Sequence, residues 1–71
     1  MTQFELLVDK VAVRLARGMK PHKATLNKMY SYPGTTAEYR MAKLDERYKF
    51  FRERYLKEQA EMEARFARAM K

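Results

Sequence analysis

The chain has 71 residues, 16 Lys and Arg against 9 Asp and Glu, one His and no Cys, for a formal charge of +7. Without cysteine, neither a disulfide nor a thiolate metal site reinforces a core that, at this length, rarely yields more than ~5 kcal/mol. No apolar run exceeds three residues, so no membrane span or signal-peptide core is expected, and the surroundings expected are cytoplasmic.

Thr2-Gln3-Phe4-Glu5 fits a capping box, which starts a helix near residue 3. Phe4, Leu7, Val8, Val11 and Leu15 then define one amphipathic face, and Gly18 stands where a glycine commonly ends a helix. The first helix is thus expected over about 3–17. Leu6 and Val13 lie off its apolar face, one heptad apart, and imply a second contact side, either within a small bundle or against a second protein. Pro21 suits the first turn of a second helix, over about 21–30, in which Leu26, Met29 and Tyr30 share a face with His22.

Pro33-Gly34 turns the chain, and Thr35-Thr36-Ala37-Glu38 offers another capping box. Beyond Gly34 there is neither Gly nor Pro, and the filling is rich in Ala, Glu, Lys, Arg, Leu and Met. Asp45–Lys49, Glu53–Lys57 and Glu61–Arg65 are acid-before-base pairs one turn apart. A single long helix is expected over about 35–70. Ala37, Met41, Leu44, Tyr48, Phe51, Tyr55, Met62, Phe66 and Ala69 fall on one stripe roughly 80° wide, interrupted at Glu58. The fold expected is all-α: a small helical hairpin, or three-helix arrangement, packed on one long C-terminal helix in a single domain.

The lengths do not match. A first helix of ~22 Å covers less than half of a helix of ~54 Å, yet the apolar stripe runs on through Met62 and Phe66 to Ala69 and Met70. Leu56, Ala60, Ala64 and Ala67 add a low-profile face on the same half. That half is expected to be covered by another protein or by a second copy.

Catalysis finds little support. One His, one Ser and no Cys give no nucleophile–base set, and no Glu-x-x-His exists for a carboxylate-bridged metal. No catalytic residue, metal ligand or cofactor is assigned, and His22 reads as a packing or surface residue. Two binding surfaces remain. Tyr39, Lys43, Phe50, Arg54 and Lys57 cluster away from the core stripe, and one core cannot bury both Phe50 and Phe51. With Met62 and Phe66 they form the expected partner-binding surface. The alternative is a nucleic-acid site of Lys10, Arg14, Arg17, Lys20, Lys23, Asn27 and Lys28, because no acid occurs between Lys10 and Lys28. The function expected is therefore that of a non-enzymatic accessory, inhibitor or assembly subunit, self-associating and without membrane binding. The size alone suits a virus or mobile element, which would place it in the host cytoplasm or the virion.

Overall fold

A computed structural model of the chain describes residues 1–70. They form α1 (Gln3–Ala16), α2 (Lys23–Tyr30) and α3 (Ala37–Ala69), with no strand among the described residues. The all-α architecture expected from the sequence is the one found.

α1 starts on the capping box. Glu5 N–H donates to the Thr2 hydroxyl at 3.2 Å, and Thr2 N–H donates to the Glu5 carboxylate at 3.3 Å. The Thr2 N–H foremost, and next the Thr2 hydroxyl, which donates to the same carboxylate oxygen at 3.1 Å, hold the Glu5 carboxyl below its ordinary pKa. α1 ends in a Schellman turn: Met19 N–H reaches Arg14 C=O at 2.9 Å and Gly18 N–H reaches Leu15 C=O at 3.0 Å. Gly18 takes the required left-handed conformation, with φ of 74°.

α2 begins two residues later than Pro21 implied. His22 is its N-cap, and no side chain caps it there. α3 is capped by Thr36 rather than Thr35: the Thr36 hydroxyl accepts from Tyr39 N–H at 3.1 Å. This leaves Glu38 one position short of the box. Thr35 is used otherwise, donating to Tyr32 C=O and accepting from Arg40.

The core is Phe4, Val8, Val11 and Ala12 of α1, Met29 of α2 and Leu44 of α3, with Leu7, Leu26, Tyr32 and Phe51 packed against it. Ala16 is also fully buried, whereas Leu15, expected on the apolar face, is 36% exposed. The buried side of α1 is thus rotated toward its alanines, which let α3 approach closely. On α3 the stripe holds at Leu44, Tyr48, Phe51 and Tyr55, but Ala37 and Met41 are exposed. Near its start, α3 instead meets α1 through Tyr39, stacked on the Phe4 ring at 5.7 Å.

Three contacts fix how α1 lies on α3. Phe4 meets Tyr39, Asp9 accepts from Arg47 at 2.8 and 3.4 Å, and Ala16 C=O accepts from Arg52 at 2.7 Å. Residue numbers rise together on both helices, so α1 runs parallel to α3 and stops beside Arg52. α2 carries the chain back to the start of α3. The molecule is consequently a rod, 55 Å by 20 Å by 19 Å.

Two outcomes follow for stability. Met29 is fully buried, so Met29→Ala should cost about 2–5 kcal/mol, enough to leave most molecules unfolded by far-UV circular dichroism. The stabilisation from Glu5 is complete above its unfolded-state pKa and is lost as pH falls through the lowered folded-state value. The difference in melting temperature between wild type and Glu5→Gln should therefore persist at neutral pH and close as the solution is acidified below about pH 4.

Candidate functional site

α3 carries three arginines that serve the fold. Arg40 donates through Nη1 to the Thr35 carbonyl at 2.7 Å and its hydroxyl at 2.9 Å, tying the α2–α3 turn to the helix. Arg47 forms a two-pronged pair with Asp9 whose side chains are 33% and 19% exposed. Such a partly buried bidentate pair is worth about 1–2 kcal/mol, above a free surface pair. Arg52 donates to one of the last carbonyls of α1, where backbone acceptors are unpaired and a cation is favoured. These three arginines of α3 are thus used internally. Periodicity alone does not single them out.

The partner-binding residues expected on the outer side of α3 are spread along the rod. Tyr39 is 47% exposed but lies on Phe4, so it belongs in part to the core. Lys43 Nζ stands 5.9 Å from the Tyr39 ring and 4.0 Å from Glu46. Phe50 is 42% exposed, and its ring meets Phe51 edge-on at 5.3 Å, so the two phenyl groups are neighbours rather than opposed. The guanidinium groups of Arg47 and Arg54 stand 4.5 Å and 5.7 Å from the Phe50 centroid. Lys57 pairs with Glu53 at 3.7 Å.

Beyond α1 the helix has no cover. Every residue from Leu56 to Met70 is exposed, including Leu56, Met62 and Phe66 at 52%, 58% and 69%. Of the three expected acid–base pairs, Asp45–Lys49 and Glu53–Lys57 form, but Glu61–Arg65 does not appear among the described residues. Past the interruption at Glu58, the end of the rod therefore presents an exposed apolar stripe through Met62, Phe66 and Ala69.

The basic residues are distributed over more than one surface. Lys10 and Lys28 border a groove of about 410 Å³ between α1 and the α2–α3 turn, floored by Leu6, Leu7 and Tyr32. Arg14 is tied down, its Nε donating to Lys20 C=O at 2.8 Å. Arg17 lies toward α3, in a groove shared with Phe51, Arg54, Tyr55 and Glu58. Lys20, Lys23 and Asn27 are exposed around the α1–α2 turn.

Among the described residues no group of three His, Asp or Glu side chains comes together as a metal site, and no helix is long and apolar enough to cross a membrane. No protein-family model, characterised protein or solved structure matches the chain.

The uneven cover should be measurable. In dilute solution, amides of α3 from Leu56 onward should exchange with deuterium faster than those between Leu44 and Phe51, which open only with the core. Equal protection along all of α3 would mean that the end of the helix is held by contacts absent from the monomer.

Proposed function

We propose that this protein is a small, non-enzymatic helical interaction protein, an accessory, inhibitor or assembly subunit that docks through the free surface of α3. One observation carries the proposal: fifteen residues of a preformed helix, Leu56 to Met70, expose an apolar stripe that none of the described residues covers. Apolar surface left on a monomer in this way is characteristic of interfaces. A helix already formed also gives up little conformational freedom when it docks. Phe50, backed by Phe51 and flanked by two guanidinium groups, extends the surface toward the middle of the rod. Arg54 and Lys57 sit between the two parts.

The test compares proteins retained by the immobilised full chain with those retained by Met62→Glu/Phe66→Glu and by Phe50→Ser. All three residues are exposed, so the variants should keep wild-type helix content. The bound partner should be lost with the double variant and weakened with Phe50→Ser. Identical recovery by all three would refute α3 as the docking surface. Tyr39→Ser is a poorer probe, since removing its stack on Phe4 should itself destabilise the fold by about 1 kcal/mol.

A second reading, nucleic-acid binding, draws support from Lys10, Arg17, Lys20, Lys23 and Lys28. None of them has a carboxylate partner within 4.0 Å among the described residues. It requires that labelled duplex DNA or single-stranded RNA bind in near-physiological salt. Arg17→Glu/Lys23→Glu should then weaken binding to every sequence alike and flatten its salt dependence. Binding confined to low salt would mark the charge as nonspecific.

A further inference from the structure

We infer that the uncovered end of α3 pairs with the same segment of a second copy of this chain, antiparallel and centred near Glu63. The inference rests on the proposal that this end is an interface, and it names the occupant.

Charge argues first. The chain carries +7, yet residues 56–70 hold Lys57, Arg65 and Arg68 against Glu58, Glu61 and Glu63 and are neutral. The excess positive charge lies elsewhere, so this end is where two like molecules approach with least repulsion. A neutral segment is also poorly suited to an acidic partner or a phosphate backbone.

The order of those charges sets the direction. Glu58 and Glu61 precede Arg65 and Arg68 with the same three-residue spacing, mirrored about residue 63. At ~100° per residue all four fall within about 80° of one another, along one edge of the stripe that carries Tyr55, Met62, Phe66 and Ala69. In an antiparallel helix pair related by a two-fold axis, that edge meets itself, bringing Glu58 toward Arg68 and Glu61 toward Arg65 of the other copy. A parallel pair would bring it against the opposite edge, where Glu63 lies. None of these five residues forms an ion pair among the described residues of the monomer.

Length agrees. Overlap centred on Glu63 uses all of residues 56–70 and starts one turn beyond Arg52, where α1 ends, so the second copy would abut the end of α1 at Arg17 without displacing it. Two rods of 55 Å sharing this ~22 Å segment give an assembly roughly 90 Å long, whereas a parallel pair would stay close to the length of one rod.

The test is sedimentation velocity of the full chain from micromolar to millimolar concentration, with small-angle X-ray scattering at the upper end. Wild type should shift from monomer to dimer with a maximum dimension near 90 Å. Phe66→Glu should remain monomeric. Arg65→Glu/Arg68→Glu should also lose the dimer, and adding Glu58→Arg/Glu61→Arg to it should restore at least half of the wild-type dimer fraction. Circular dichroism should show unchanged helix content in every variant. A wild type that stays monomeric, a dimer no longer than one rod, or no rescue by the fourfold exchange would overturn self-pairing. If a monomeric wild type still loses its retained partner through Met62→Glu/Phe66→Glu, α3 remains a docking surface for another protein. If that retention is also unaffected, both proposals fail.

Discussion

The structure depends on the parallel seam between α1 and α3. Phe4 on Tyr39, Asp9 on Arg47 and Ala16 on Arg52 are successive stations along it. With both helices running the same way, the connection must return to the start of α3, and α2 with its two flanking turns makes that return. The chain spends its first 36 residues covering little more than the first half of the helix that follows. Because Gly18 ends α1 beside Arg52, the remainder of α3 is exposed as a consequence of topology.

Arginine is a suitable residue along such a seam. The core consists of only six clustered side chains, so hydrophobic burial alone gives a marginal fold. Arg47 spans from the edge of the stripe to a carboxylate on the facing helix while laying its guanidinium against two aromatic rings. Its guanidinium stands 4.5 Å from the Phe50 centroid and 5.1 Å from that of Phe51. Arg52 takes the unpaired carbonyl at the end of α1, so the stop at Gly18 sets the length of α1 and this contact sets where its end lies on α3. A lysine at either position would bring charge without the planar, two-pronged donor geometry.

Much of this was legible in the residues. The capping box at Thr2, the stop at Gly18 and the unbroken helix after Gly34 are local signals, and each appears within a residue or two of where local chemistry puts it. Pairing between helices was less legible. Ala12 and Ala16 carry little hydrophobic signal, yet close approach of two helices selects for small side chains, and both are fully buried while Leu15 is not. Arg40, Arg47 and Arg52 resemble other cations of a basic helix until a facing acceptor is known. Thr35 and Thr36 are equally able to cap, and the choice between them depends on Tyr32 and Arg40, which the sequence does not place. The basic residues from Lys10 to Lys28 are close in sequence, yet Arg17 lines a groove against α3 while Lys10 and Lys28 border another between α1 and the α2–α3 turn.

The exposed end of α3 differs from a disordered tail in a way that matters for binding. A separate peptide of fifteen residues would be a marginal helix in water, because the first turn must be nucleated. Here nucleation is supplied by the half of α3 that packs on α1, and the continuation adds residues one at a time from a composition rich in Ala, Glu and Arg. The stripe of Tyr55, Met62, Phe66 and Ala69 is therefore held in register with the core stripe of Leu44, Tyr48 and Phe51. What changes after Tyr55 is the neighbour: α1 on one half, water on the other. A surface so ordered would cost little to dock, and after Lys57 its charges run from acidic to basic along the helix axis, which would favour one direction of approach over the other.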